Sequence, residues 1–529
     1  MKKEKALKIN KLVLAGLILI QPIIDIIKNN IVNDIQLFGV SLFEMINLIL
    51  IAGSCLLTLY ASDSKKRMFK FILIYGLIFL FYAIFHLINI SKFNLNVYEN
   101  ATHDYIKEIY YLIKLFVIPI LFIIVLLYSG IKKEECIKLI EIFTLIIVLL
   151  IVIGNIFKFS ETSYPTNDRL KYSIFDWFTF KSDSTYGYYL LTSKGLFSSA
   201  NQLSAILLMV SPIILYQAYK NKSRFNYCLL ILTSVAMLML GTKTANVGII
   251  LVYIAFILSY CFLRIIKKQY NSIKDILLIM TLIFILFCFS PIAHNFKYKL
   301  ENAKGMQGDK GIDNDEEIEE QKEVEKRLEE IRTFNSLELS DEEIEKINYF
   351  IGNFQYKARI HSYIINNYKL DLHPEFWCRY LQNYESFNYR TLKTSILENI
   401  YKENNNPNDI LWGMGGYTLN YIYTESDYSY QFYCYGILGI ITLFGGQFGC
   451  ILFIVYGIIK NRKEAFNLES IMYLMAPILG LVIAYFSGHV LERALPLLII
   501  SLLIGLNFHN LLEKAKSNGK CIFLENKKE

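Results

Sequence analysis

Charge is scarce in this chain, and most of it avoids the long apolar runs. Of 529 residues only 19% are Asp, Glu, Lys or Arg, while 54% are hydrophobic. That balance excludes an ordinary soluble domain. Paired cysteine patterns are missing too. Nine Cys are present, but Cys55, Cys228, Cys261, Cys288 and Cys450 lie inside apolar runs, and only Cys378 lies well inside a polar segment. No disulfide framework and no Cys-x-x-Cys metal site follows. The acidic segment Asp309–Glu345 lacks the spacing of an EF-hand loop and reads as a solvated helix face. No internal repeat is visible. The lysine-rich start, Met1–Lys11, precedes an apolar run without a small-residue cleavage site, so it reads as an uncleaved first span. The net charge of +7 sits in short loops and gives no reason to expect a nucleic-acid partner.

What is present is a series of apolar runs, many of them long enough to cross about 30 Å of hydrocarbon. Spans are expected near 12–27, 40–60, 69–90, 109–128, 137–157, 196–219, 227–241, 244–263, 274–293, 432–458, 468–487 and 492–508. The pair 227–241 and 244–263 is separated only by Thr242–Lys243. The expected fold is therefore an all-α polytopic membrane protein of about twelve helices. Basic residues mark alternate connections: the N-terminus, Lys65–Arg67, Lys132–Lys133, Lys220–Arg224, Arg264–Lys268, Lys460–Lys463 and the tail from Lys514. These place both termini in the cytoplasm of a cell-membrane protein. Three regions follow: 1–293, with nine spans and an outer loop at 158–195; an extracytoplasmic loop subdomain, 294–431; and 432–529, with three spans and a cytoplasmic tail. So long a loop implies its own fold. Within it Val324, Leu328, Ile331 and Phe334 share a helical face, Ser340 with Glu343 makes a capping box, Ile360, Ile364 and Tyr368 keep helical spacing, and Arg390–Lys402 reads as another helix.

The candidate chemistry maps to the outer end. Lys194 precedes GLFSSANQLS, with Asn201 inside it, and Lys243 lies in GTKTAN. Arg390 opens the helix leading to a Gly-rich turn with Gly413 and Gly415, followed by Tyr417. Glu425 and Asp427 precede the tenth expected span, and His489, Glu492 and Arg493 fill the last short outer turn. Ionisable groups at membrane depth usually face a cavity or each other. Cations with carboxylates at one face suit a diphosphate substrate and a nucleophile that must lose a proton. Each residue also has a structural reading. The lysines can snorkel, the carboxylates can favour a helix N-terminus, and the tyrosines can form an interfacial belt.

These motifs, GLFSSANQLS, GTKTAN and WGMGGYTLN with TESDYSYQFYCYGILG, resemble the O-antigen ligase and polysaccharide polymerase superfamily across roughly Lys194–Arg493. The resemblance implies a GT-C-like membrane glycosyltransferase without metal or cofactor. Its donor is an undecaprenyl-diphosphate-linked oligosaccharide, its acceptor a glycan, and a flippase and a chain-length regulator are candidate partners. By position Arg390, Lys194, Lys243 and Arg493 would hold the diphosphate, with Asn201, Gly413, Gly415, Tyr417 and His489 in support. Glu425 or Asp427 would be the base. Here the chain departs from the family, since Glu425-Ser426 stands where many ligases carry His-Asn. A transporter such as a flippase is the competing class, but no matched pair of Gly/Pro-interrupted spans supports it. A metal-dependent enzyme with a monophosphate donor ranks lower, because the first outer loop, Lys28–Gly39, offers only Asp34 as a carboxylate.

Overall fold

The computed structural model describes the chain except residues 1, 31–35, 38–39, 164–167, 182–186, 268–270, 306–314, 356–359, 361, 384–388, 420–421, 423, 425, 487–489 and 518–529. It also leaves out the side chains of 37, 298–299, 301–305, 315–318, 320–321, 362, 389–390 and 517. The described chain is almost wholly helical. The elements are α1 (Lys3–Asn30), α2 (Leu42–Ala61), α3 (Lys65–Ile90), α4 (Tyr105–Leu112), α5 (Ile118–Tyr128), α6 (Lys133–Ile156), α7 (Ala200–Asn221), α8 (Arg224–Leu240), α9 (Lys243–Lys267), α10 (Lys274–Phe289) and α11 (Pro291–Gly305). The long loop supplies α12 (Asp315–Arg332), α13 (Asp341–Phe354), α14 (Ser362–Asn367), α15 (Pro374–Gln382), α16 (Tyr389–Asn404) and α17 (Asp409–Trp412). The chain ends with α18 (Asp427–Lys460), α19 (Arg462–Ala465), α20 (Leu468–Phe486) and α21 (Ala494–Ser517). One two-stranded hairpin, Gln36–Leu37 with Val40–Ser41, is the only sheet among the described residues.

All twelve apolar runs are helical, but they do not all qualify equally as spans. Among the described residues ten helices are long and apolar enough to cross a membrane, and eleven if the α10–α11 pair, bent by 50°, is one span. The run expected at 227–241 is α8, a shorter apolar helix of 17 residues. At 1.5 Å per residue it reaches about 26 Å, just under the hydrocarbon thickness. The chain is thus an all-α polytopic membrane protein.

The chain divides into two compact units. The first comprises Met1–Ile78, Ile113–Lys304 and Leu443–Glu529. At its centre α7 and α21 are buried on nearly every side. Small residues let their neighbours come close: Gly248 of α9 stands where a Cβ would meet Leu208 Cδ2 at 2.6 Å, and Gly480 of α20 faces Met209.

The second unit comprises Phe79–Leu112 and Gly305–Thr442. Its loop helices share an ordinary apolar core of Val324, Leu328 and Ile331 with Phe350, Ile351, Trp377, Leu381 and Leu392. Phe334, expected on the same face, lies past the end of α12 and is half-buried. Ser340 and Glu343 form the expected capping box on α13, with Ser340 Oγ accepting the Glu343 N–H at 3.3 Å and Glu343 Oε2 the Ser340 N–H at 2.8 Å.

Candidate functional site

The Gly-rich turn of the second unit is built against a break in α18. Gly436 has φ +66° and ψ −176°, outside helical space, so the residues before it lose their helical hydrogen-bond partners. Their carbonyls are taken up instead by neighbours. Tyr433 O accepts from Met414 N–H at 2.9 Å, Cys434 O from Gly415 N–H at 2.8 Å, and Tyr435 O from the Tyr82 hydroxyl at 2.9 Å. Such close backbone pairing excludes side chains. A Cβ on Gly413, where φ is +81°, would strike the backbone of Cys434 and Tyr435, and one on Gly436 would meet Leu411 O at 2.5 Å.

The far side of the turn is held by residues that the sequence reading did not select. Glu108 of α4 accepts Gly416 N–H on Oε1 at 3.0 Å and Tyr417 N–H on Oε2 at 2.7 Å. His86 of α3 lies between Glu108 Oε1 (3.2 Å from Nε2) and Trp412 O (2.5 Å from Nδ1). Both side chains are fully buried, and the His86 ring lies 5.4 Å from that of Tyr435. Asn89 donates to Gly413 O at 2.9 Å and to Asp409 Oδ1 at 2.7 Å, while Asn406 reaches the same Asp409 oxygen at 2.8 Å and Asn404 the other at 2.5 Å. Burial pushes the Asp409 carboxyl above its ordinary range, and the three amide donors pull it the other way.

The five N–H groups from Gly413 to Tyr417 are therefore all used internally, the first by Asp409 O at 2.8 Å. Two of them form an anion nest that Glu108 already fills. The turn is a rigid support and not a phosphate cradle. Next to it, Asp427 opens α18 and is fully buried, and Tyr430, one helical turn on, donates to Gly416 O at 3.0 Å. Tyr417 is half-buried, 6.3 Å from the Tyr111 ring, with the Lys107 ammonium 5.0 Å from its centroid. The remaining candidates of this unit are only partly visible. Glu425 lies outside the described residues, and Arg390 contributes backbone to the first turn of α16 while its side chain lies outside the description.

The first unit holds a second cluster. Lys194 is buried, with Nζ 3.3 Å from Glu161 Oε2, and it donates to Ser198 O at 3.4 Å. The segment leading into α7 is fastened to α1. Asp25 accepts from Ser198 N–H (3.0 Å) and Oγ (2.8 Å), and the Asn29 amide donates to Leu196 O at 3.3 Å and Glu161 Oε2 at 3.4 Å. Asn201 is half-buried in the first turn of α7. Lys243 and Arg493 are exposed, and His489 lies outside the described residues. A further pair, buried Lys114 with half-buried Glu44 at 2.9 Å, accompanies a π-helical turn at Ile113–Val117, where Tyr75 donates to Phe116 O at 2.7 Å.

One signal in the sequence pointed to His86, Glu108 and Lys114: an ionisable side chain in or next to an apolar run. Chemically, the two clusters offer a buried carboxylate (Asp427) on a fixed backbone and a buried, oriented cation (Lys194). Among the described residues no group of three metal-ligating side chains occurs. Neither the curated proteins nor the solved structures contain a match to the chain. A family model does, over residues 7–512, which is nearly the whole chain, so the chain belongs to the O-antigen ligase like membrane proteins.

Proposed function

We propose that this protein is a membrane glycosyltransferase of the outer face of the cell membrane. It polymerises undecaprenyl-diphosphate-linked oligosaccharide repeat units into a surface polysaccharide. An acceptor sugar hydroxyl attacks the anomeric carbon of the donor, undecaprenyl diphosphate leaves, and a carboxylate, Asp427 or Glu425, takes the hydroxyl proton. Lys194, Arg390, Lys243 and Arg493 hold the diphosphate, no metal takes part, and both termini lie in the cytoplasm. The observation that carries the reading is the fixed turn at Gly413–Tyr417 beside the buried Asp427, in a chain that belongs to this family. A base and a sugar acceptor need such a support, because a small misplacement costs much of the rate.

Ligation to a different acceptor shares all of this chemistry, and a flippase of the same lipid-linked glycan is the non-enzymatic alternative. The glycan profile of a deletion strain separates them. A polymerase leaves single repeat units at the outer face and no high-mass polymer. A flippase leaves the units inside, and an unchanged profile rejects both enzyme readings for that glycan. Within the enzyme reading, Glu425→Gln and Asp427→Asn are assayed for polymer in cells, and normal polymer in both removes the carboxylate base.

A further inference from the structure

The first unit has a pocket at the end of α7 away from Lys194 and Asn201. Those two residues flank the N-terminus of α7, and the pocket opens on its last turn, about 33 Å away for a 22-residue helix. Its volume is about 410 Å³, within the range of small-ligand sites. Its lining carries many polar groups, from Tyr216, Tyr219 and Lys220 of α7, Asn271, Asn467, Glu469 of α20 and Lys514 of α21, with Leu468 and the tyrosine rings adding apolar surface. The basic connections after α2, α5, α7, α9 and α18, together with the tail, mark this end of the bundle as the electropositive one.

The charges around the pocket are ordered. Glu469 is nearly inaccessible, with Lys220 Nζ 3.5 Å from Oε1 and Lys514 Nζ 3.3 Å from Oε2. Behind it, buried Lys133 lies 3.5 Å from Oε1 and is also paired with Glu513. Three ammonium groups and two carboxylates leave the cluster net positive. Glu469 thus fixes two lysines on either side of itself at the pocket wall. An ammonium carries three N–H donors, so the bond of Lys220 to Glu469 does not exhaust it. The N-terminus of α20, next to Asn467, adds its positive dipole end, and Lys220 and Lys514 offset the carbonyl ends of α7 and α21. The wall offers an apolar ligand only Leu468 and the tyrosine rings, and a cation meets the ammonium groups of Lys220 and Lys514.

We infer that this pocket binds a phosphoryl anion, bridged by Lys220 and Lys514 at the end of the bundle opposite Lys194. The anion is either the phosphate of an anionic phospholipid or a soluble phosphate compound. The site is independent of the proposed reaction, and its test does not read activity.

The test uses the full chain, purified in detergent and stripped of lipid, with binding followed by thermal stabilisation. Phosphatidylglycerol, phosphatidylcholine and inorganic pyrophosphate are titrated separately. Lys220→Met with Lys514→Met removes the bridging cations. Asn271→Asp places a negative charge at the wall and leaves the Glu469 ion pairs intact, which covers the case in which the double variant fails to fold. Asn353→Asp on α13 controls for net charge. Saturable stabilisation by phosphatidylglycerol and not by phosphatidylcholine identifies a lipid headgroup, and stabilisation by pyrophosphate identifies a soluble ligand. Either one, weakened at least about tenfold by Asn271→Asp and unchanged by Asn353→Asp, supports the site. No stabilisation beyond that of phosphatidylcholine, or equal binding by wild type and Asn271→Asp, overturns it.

Discussion

Glu108 holds the backbone N–H of Tyr417 at 2.7 Å, although 309 positions separate the two in sequence. The same carboxylate holds the neighbouring N–H of Gly416, so both its oxygens are committed to the turn. Glu108→Gln replaces one acceptor oxygen by a donor that faces a backbone donor. Hydrogen bonds to a charged group contribute about 1.5–3 kcal/mol, and leaving a buried partner unmade costs as much again or more. The variant is expected to insert in the membrane, to melt several degrees below wild type in detergent, and to lose polymer. An unchanged melt would show that the turn does not depend on this carboxylate.

Gly413 and Gly436 meet backbone to backbone, and each has a positive φ. Alanine at either position adds a strain of about 1–3 kcal/mol, for a positive φ with ψ near 180°, to a clash with main chain that cannot rotate away. Gly53, in the middle of α2, has open space around its missing Cβ. Gly53→Ala should be neutral or stabilising by up to about 1 kcal/mol. The comparison reads local geometry, since all three substitutions add one methyl group. Melting of the purified variants should rank Gly53→Ala at or above wild type and the other two well below it.

The helices were legible because burial and lipid exposure act on every turn, and a repeating signal survives averaging along the chain. Val324, Leu328 and Ile331 show this on α12, and Ser340 with Glu343 shows it for a local cap. The break at Gly436 was not legible. It depends on carbonyls being taken up by a turn some twenty residues earlier and by Tyr82, far upstream, and periodicity carries no such information. Glu108 reads as an ordinary acidic residue at the start of a span, and His86 as an interfacial histidine, until the pairing with 412–417 is seen. Lys194 is marked by its position before an apolar run, but its half-buried partner Glu161 lies in an irregular loop with no pattern to mark it.

Two carboxylates outside the spans should give stability opposite slopes with pH. Asp409 has its folded value raised by burial, so the folded chain keeps that proton to higher pH than the unfolded chain does. Its contribution is greatest below the unfolded value of about 3.9 and falls as pH rises through the folded one. Glu343 is the reverse case, held below its ordinary range by the Ser340 N–H and hydroxyl. Its contribution is present above the unfolded value and is lost as pH falls through the folded one. The stability difference between wild type and Asp409→Asn should therefore shift in favour of Asp409→Asn as pH rises from 4 towards 7. For Glu343→Gln the difference should shift in favour of wild type over the same rise. Denaturant midpoints in detergent at several pH values check both signs.

Lys194 is buried and its partner Glu161 is half-buried, a pairing in which a structural role can be separated from a substrate role. Removing Glu161 leaves the Lys194 charge buried, at a cost of up to about 3–5 kcal/mol, while replacing both by apolar residues can be nearly neutral. If Lys194 only neutralises Glu161, then Lys194→Met with Glu161→Met restores both stability and polymer. If Lys194 also holds the donor diphosphate, the double variant recovers stability and still lacks polymer, because an apolar side chain cannot replace the point charge. The second outcome is the expected one. Lys194→Arg should then keep the pairing and a part of the polymer yield. Melting temperature and polymer yield, measured on wild type, Lys194→Met, the double variant and Lys194→Arg, distinguish the two roles, and a double variant with normal polymer removes Lys194 from the diphosphate site.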